Sequence, residues 1–448
     1  MGNEQTRERR RANSAPVTGA TSSPQAEDIR HRWWWVEHCV WTNPMLARLE
    51  ENEPGIKWFR LWDKVFSPRT LEGGFWAVWR NGGAPGVDGE TVRQFEEELK
   101  EQLQKLSQEL RSGQYQPAPA RRKWIPKLGT TEKRPLGIPT VRDRVVQAVL
   151  KAVIEPIYER EFAPHSYGFR PGRGCREAVA RVEELLKEGY TVVVDADLKS
   201  YFDTIPHEQL LAKLRERIAD GKVLELIRRF LQAGILEELR DWKPTVSGTP
   251  QGGVISPLLS NVYLNELDHA VAARGGQMVR YADDFVVLCR DGSEAEAMVS
   301  FLREWTSAAG LTLHPTKTRV VDWGQGQSFE FLGWHFERGH KWPREKSQEK
   351  LREVIRQKTR RTSGQSLESI VEDLNRTLRG WFGYFGASVK SRLREQDQFV
   401  RRRLRAILCK RQKRPGSGRA QLAHRQWPNA WFAQQGLFSL EHGSCEYG

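Results

Sequence analysis

Apolar positions along this chain repeat with two different periods. Between 91 and 111, Phe95, Leu99, Leu103, Leu106 and Leu110 recur at helical spacing, which predicts an amphipathic helix. The same period predicts helices at about 207–218, 222–234, 257–273 and 293–309. Residues 190–198 (Tyr-Thr-Val-Val-Val-Asp-Ala-Asp-Leu) are β-branched and predict a buried strand. Met278 to Tyr281, a tight turn at Ala282-Asp283-Asp284, and Phe285 to Leu288 predict a hairpin. Residues 329–336 predict one more strand, and 345–412 a basic helical stretch. Residues 81–89 and 247–253 are turn-rich loops, and 28–80 is a Trp-rich helical segment.

The order suggests an α+β domain with a mainly antiparallel sheet, followed by a helical domain. Residues 1–27 lack apolar periodicity and are expected to be a flexible tail. The Pro/Gly/Ser run at 415–418 is expected to link to a short tail carrying Trp427 and Trp431. No internal repeat is evident.

Composition narrows the class. The 448 residues are 38% hydrophobic and include 17 Trp and 18 Phe, which excludes a disordered chain. No apolar run reaches the roughly 18 residues of a membrane span, so no membrane partner is expected. The N-terminus lacks a signal-peptide pattern, so a cytoplasmic location is expected. The five cysteines lie far apart with no CxxC pair, so neither a zinc module nor a disulfide framework is indicated.

The net charge is +14, and it is clustered. Residues 117–134, 341–361 and 390–419 carry +5, +6 and +10, leaving −7 for the rest of the chain. Three basic segments with interleaved Trp and Phe point to a nucleic-acid partner rather than to solvated helix faces.

Two acidic sites stand out against apolar surroundings: Asp195-Ala196-Asp197 at a strand end, and Asp283-Asp284 at a hairpin tip. Carboxylates in such places are costly unless paired or metal-bound. Either site alone reads equally well as a solvated turn. Both in one basic chain point to metal-dependent phosphoryl transfer, with Mg²⁺ the suited ion.

Tyr281-Ala282-Asp283-Asp284 resembles the YADD box of reverse transcriptases, and Asp197 to Asp203 resembles the motif that carries their first catalytic Asp. Further blocks follow in order across about 58–410. They are 81–89, Ile125-Pro-Lys127 with Arg134 to Thr140, Ser166 to Arg173, Thr249 to Leu259, Gly310 to Thr318, Phe331 to Gly333, and Leu374-Asn375 with Leu378 to Phe385. The ordered series is similar to group II intron-encoded reverse transcriptase/maturases. It implies a right-hand polymerase: N-terminal extension 28–80, fingers with the start of the palm 81–190, a palm 191–340 whose antiparallel sheet carries YADD, a helical thumb or maturase-specific domain 341–414, and a linker with a short basic and aromatic tail 415–448. With no paired cysteines and about 30 residues after the linker, the chain resembles the compact bacterial class C members that lack an endonuclease domain.

The resemblance implies RNA-directed DNA polymerase activity with two Mg²⁺ ions, Mn²⁺ serving as a substitute. Asp197, Asp283 and Asp284 would be the metal carboxylates, joined by the Leu198 carbonyl. Asp195 and Asp203 would be structural. Phe202, five residues after Asp197, would exclude a 2′-hydroxyl and select dNTPs. Lys127 and Arg134 would hold the triphosphate, and Gln251 would sit against the nascent pair, with Gly252 and Gly253 allowing close backbone approach. Lys317 would be a general acid for pyrophosphate departure. Arg170, Arg173, Arg401, Arg402, Arg403, Arg405, Lys410 and Arg411 would contact nucleic-acid phosphates. Trp381, Phe382 and Tyr384 would pack the thumb core. The implied partners are group II intron RNA, an RNA template with a DNA primer, dNTPs and target DNA. The implied location is a ribonucleoprotein at the bacterial nucleoid.

Three alternatives share parts of this pattern. A free-standing reverse transcriptase would differ in its flanking DNA. A dead polymerase that only binds RNA would fail to extend a primer. An RNA-dependent RNA polymerase would use NTPs.

Overall fold

The computed structural model describes residues 24–51, 55–126, 133–237, 241–243, 245, 247–413 and 420–444. The strands, in chain order, are β1 (Ala120–Pro126), β2 (Lys133–Ile138), β3 (Val192–Asp197), β4 (Ile235–Glu237), β5 (Asp241–Lys243), β6 (Gln277–Tyr281), β7 (Asp284–Cys289), β8 (Arg319–Asp322), β9 (Phe329–Phe331), β10 (Trp334–Glu337) and β11 (His340–Pro343). They form three sheets, ordered β2-β1-β4-β5, β6-β7-β3-β8 and β11-β10-β9.

The central sheet, β6-β7-β3-β8, is antiparallel throughout, as its hydrophobic pattern suggested. Helices cover both faces, which is why β3 and β7 read as nearly continuous apolar runs. One face places Val193, Val279, Val286 and Leu288 against Val179, Val182 and Leu185 of helix Cys175–Lys187. The other places Val194, Phe285 and Val287 in a larger core with Leu259 and Leu267 of helix Ser256–Ala272 and Leu302 of helix Gly292–Ala308. That core continues into helix Val141–Glu159, whose N-terminus is capped by the Thr140 hydroxyl accepting from the Asp143 amide at 3.1 Å.

In the sheet β2-β1-β4-β5, strands β1 and β2 form a hairpin, while β4 joins β1 in parallel through Ala120↔Ile235 and Arg121↔Leu236. Residues more than a hundred positions apart therefore pair in the middle of one sheet.

Three segments depart from the periodicity reading. The expected helix at 91–111 is two helices, Val92–Glu97 and Leu99–Ser112, broken at Glu98. The expected strand at 329–336 is a hairpin, because Leu332 (φ 47°) and Gly333 (φ 85°) both take left-handed backbone and turn the chain between β9 and β10. The basic stretch 345–412 is three helices, Glu345–Lys358, Leu367–Phe385 and Lys390–Arg411.

These three helices enclose their own core, with Leu351, Ile355, Leu374, Leu378, Leu404 and Ile407. Trp427, Phe432 and Leu440 complete it, so the segment past 420 packs back onto the helices. Trp381 and Phe382 lie against this core, while the Tyr384 hydroxyl donates to the Leu332 carbonyl at 2.8 Å. Helix Pro24–Arg32 starts inside the span read as a tail. Among the described residues, no helix is long and apolar enough to cross a membrane.

Candidate active site

The strand register brings the two acidic sites together. Asp197, the last residue of β3, stands directly opposite Asp284, the first residue of β7. Because side chains alternate across a strand, Asp195, Asp197 and Asp284 share one face. Asp283 lies in the two-residue turn between β6 and β7. A dipeptide spacing on one strand and an adjacent pair on a hairpin thus become one carboxylate group.

Their electrostatics record the crowding. Asp283 is raised above the ordinary carboxylate range, by burial first and then by Asp197. Asp284 is pushed up to about 7, by the protein packed around it first and then by Asp195, Asp283 and Asp197. Asp284 nonetheless keeps solvent-exposed surface. Asp195 accepts from Arg319 Nε at 3.1 Å, which supports its reading as a strand-end hydrogen-bonding group. Lys317 Nζ lies 2.5 Å from Asp197 Oδ2, so this lysine faces the carboxylate group.

The turn is held from below by residues the motif reading passed over. Ala282 has φ 59°, a left-handed conformation uncommon for a residue with a Cβ. The fully buried Arg280 donates to the Ala282 carbonyl at 2.9 Å. It is fixed in turn by Asp268 (2.7 and 2.5 Å) and by Asn261 Oδ1 (2.9 Å). Asn261 also donates to the Gly168 carbonyl at 2.7 Å. A Cβ on Gly168 would sit 2.3 Å from the Ala282 nitrogen, so only glycine fits beneath the turn. The available signal was an arginine within an apolar strand, Met278-Val279-Arg280-Tyr281. Next to this strap, Phe169 (φ 59°) is exposed, its ring 6.2 Å from that of Tyr281.

A cavity of about 540 Å³ is lined by Phe202, Asp203, Gln251, Arg122 and Trp124 among others. Phe202 follows a left-handed Ser200 (φ 51°), and its ring packs edge-on to Tyr201 at 5.4 Å. The loop carrying Gln251 is strapped to this turn: the Thr249 amide donates to the Phe202 carbonyl at 2.7 Å, and the Gly248 amide to the Ile205 carbonyl at 2.8 Å. Gly252 (φ 110°) makes the expected close approach, but to protein: a Cβ there would meet the Gly137 carbonyl of β2 at 2.4 Å. Arg134 is exposed on β2 and close enough to Asp283 to offset part of its upward shift. Lys127 lies outside the described residues. Leu198 is buried and bridges Leu313.

Comparison with known proteins decides the family. Residues 125–336 match the model for reverse transcriptase (RNA-dependent DNA polymerase), and 348–427 match the group II intron maturase-specific domain. Protein YkfC of Escherichia coli (strain K12) is 35% identical over 332 residues, covering 64% of this chain and 85% of YkfC. This chain belongs to the group II intron reverse transcriptases.

Among other relatives, the group II intron-encoded protein LtrA of Lactococcus lactis subsp. cremoris is 39% identical over 47% of this chain and 35% of LtrA. The 91 kDa protein in the cob intron of Schizosaccharomyces pombe is 32% identical over 49% of this chain and 34% of its own length. The chain thus spans most of YkfC but about a third of the other two.

Reverse transcriptases generally use divalent metal ions. The donor set here fits such an ion: Asp197 raises the pKa values of both Asp283 and Asp284, and the buried cation Arg280 is engaged by Asp268. Among the described residues, no three His, Cys, Asp or Glu side chains form a ready ligand cluster. Mg²⁺ does not need one, because it takes one or two carboxylates and completes its shell with water and substrate phosphates.

The basic residues of this reverse transcriptase divide more sharply than charge counts suggested. Arg170 is not a phosphate contact. It is buried, paired with Glu159 (2.7 and 3.0 Å), and donates to the Ala163 and Ser166 carbonyls at 2.7 and 2.8 Å. Arg173 is half-buried and donates to the Pro164 carbonyl. Arg401 and Arg405 are also buried and cannot lie along an outer face. Arg403 caps the end of helix Glu345–Lys358 by donating to Thr359 Oγ1 (3.0 Å) and its carbonyl (2.7 Å). Arg411 donates to the Gln365 carbonyl while remaining exposed. Lys410 is exposed, and Arg402 partly so.

Proposed function

We propose that this reverse transcriptase copies RNA into DNA at the Asp197–Asp283–Asp284 site and also binds its intron RNA as a maturase. The observation that carries the reading is the cross-strand pair Asp197↔Asp284, with Asp283 in the adjoining turn; Phe202 and Gln251 line one cavity.

Asp197, Asp283 and Asp284 would hold two Mg²⁺ ions, or Mn²⁺ in their place, and the Leu198 carbonyl would add a ligand. Bound there, the ions supply positive charge that favours ionisation of a primer 3′-hydroxyl and offsets charge on a departing pyrophosphate. The chain's own residues do the rest. Phe202 fills the space a ribose 2′-hydroxyl would need, so the substrate is a dNTP. Arg134, with Lys127, grips the triphosphate through charge-assisted hydrogen bonds. Gln251 lies against the new base pair. Lys317, paired with Asp197 here, would donate a proton to the leaving group.

The maturase-specific domain binds intron RNA, the RNA itself performs splicing, and reverse transcription then starts from a primer at target DNA. Lys410, Arg402 and Arg411 are the thumb cations whose exposure suits phosphate contact. A bacterial ribonucleoprotein associated with the nucleoid follows from this reading.

The test is extension of a DNA primer on an RNA template with Mg²⁺. Wild-type protein should incorporate dNTPs in preference to NTPs. Asp283→Ala should lose about 4 kcal/mol or more of transition-state stabilisation, on the order of 10³-fold in rate, while RNA binding persists. Undiminished synthesis by Asp283→Ala would overturn the site.

A further inference from the structure

The buried arginines of the C-terminal helices line a cavity of about 640 Å³ that shares no lining residue with the nucleotide cavity or the catalytic carboxylates. Helix Glu345–Lys358 contributes Arg352 and Arg356, and helix Lys390–Arg411 contributes Phe399, Arg401, Arg402 and Arg405. The Phe399 ring gathers three of these guanidiniums, with Arg402, Arg356 and Arg352 at 5.0, 5.6 and 5.9 Å from its centroid. Stacking on an aromatic ring fixes the plane of a guanidinium. Arg352 Nε donates to Gln396 Oε1 at 3.0 Å and Arg356 pairs with Glu353 at 3.0 Å, each using one of the five N–H groups of its fork.

Arg401 and Arg405 sit one helical turn apart, only 7% and 2% exposed. Two like charges buried this close are costly unless an anion answers them. The protein supplies little. Arg405 donates to neutral acceptors, the Trp427 carbonyl at 2.9 Å and Asn429 Oδ1 at 2.8 Å. Arg401 has Asp397 at 3.9 Å, but that carboxylate already accepts from Ser439 Oγ (2.7 Å) and from the Leu440 and Glu441 amides (2.9 and 3.1 Å). Glu395 also lines the cavity and is paired with Arg392 at 3.3 Å.

We propose that this cavity is a phosphate pocket that takes the backbone phosphate of an unpaired RNA nucleotide, held by the guanidiniums that Phe399 arranges. A tetrahedral phosphate presents oxygens in several directions, which suits forks converging from two helices better than a planar carboxylate does. RNA-binding proteins draw out unpaired nucleotides, whose backbone can enter a recess between helices, in preference to duplex RNA. The pocket falls within the segment matched to the maturase-specific domain. The proposal rests on the reading of the chain as an RNA-binding reverse transcriptase.

The experiment measures binding of a short fluorescein-labelled single-stranded RNA to the full chain across a salt series. Arg352→Gln/Arg356→Gln should lower affinity roughly tenfold and reduce the slope of log affinity against log salt by about 0.7, the share of one single-strand phosphate. Phe399→Leu alters no charge, yet should weaken binding at least about threefold, because the guanidiniums lose their platform. Arg338→Gln/Arg376→Gln, on side chains 77% and 72% exposed, should leave affinity and slope near wild type. Thermal midpoints establish that each variant is folded. The proposal fails if the pocket variants behave like the Arg338/Arg376 control. Primer extension by the same wild-type preparation keeps the two readings apart: protein that binds RNA through the pocket but extends no primer would overturn the polymerase reading alone.

Discussion

The Arg280 guanidinium, buried under the central sheet, reaches forward two residues and donates to the carbonyl of Ala282 at 2.9 Å. Ala282 is the left-handed residue of the turn that precedes the two aspartates. A side chain that touches no reacting atom therefore shapes the backbone on which the chemistry depends.

Replacing Arg280 with Lys keeps the charge but loses the fork that spans Asp268, Asn261 and Ala282. The kcat for primer extension should fall on the order of tenfold to a hundredfold, with the KM for dNTP and primer–template affinity little moved. Amide hydrogen exchange at 281–285 should rise in the metal-free protein. Asp268→Asn, which leaves a buried cation unanswered, should cost about 3–5 kcal/mol in urea unfolding. A variant with normal exchange at the turn and normal kcat would show that Arg280 only fills space.

Shortening Phe202 to Val opens the cavity wall next to the sugar. Discrimination between dNTP and NTP, taken as a ratio of kcat/KM values, should drop roughly tenfold to 200-fold, the range expected when a steric contact of about 1–3 kcal/mol is removed. An unchanged ratio would assign Phe202 to packing against Tyr201 alone.

Asp284 sets a pH dependence whose sign is fixed. Its pKa rises from 3.8 in an ordinary environment to about 7 in the fold. Between those values the folded chain binds more protons than the unfolded chain, so the stability of the metal-free protein falls as pH rises from about 4 to 7. Asp283 and Asp195, also raised, add in the same direction. Asp284→Asn should flatten this fall in thermal midpoint. Parallel curves for the variant and wild type would rule out Asp284 as its source.

Arg170→Ala should damage folding rather than RNA binding. It leaves Glu159 without its partner and two carbonyls without their donor, a loss of about 3 kcal/mol. Urea unfolding and RNA affinity, measured side by side, would separate the two; weakened RNA binding with unchanged stability would contradict the assignment.

What could be read from the sequence was whatever is local. Asp197 and Asp283-Asp284 were legible because charges interrupt apolar strands, and the antiparallel pairing of β6 and β7 because a tight turn joins two short apolar runs. Partnerships across distance were not. Nothing near Ala120 announces that β1 pairs with Ile235, and the left-handed pair Leu332-Gly333 hides a turn inside an apolar run. Charge counting did not separate the exposed cations of the basic helix from the buried ones. Arg401 and Arg405 each follow a core residue, Val400 and Leu404, and rotate inward with them. That periodicity was available, but the dense positive charge around it drew the reading outward.

The strap beneath the turn has an evolutionary corollary. Gly168, Asn261, Asp268 and Arg280 come from three separate stretches of chain and meet under four residues of YADD. Transplanting Tyr281 to Asp284 into another scaffold would carry the ligands without the cradle. The heritable module is the whole constellation, and drift at any one of these positions constrains the other three.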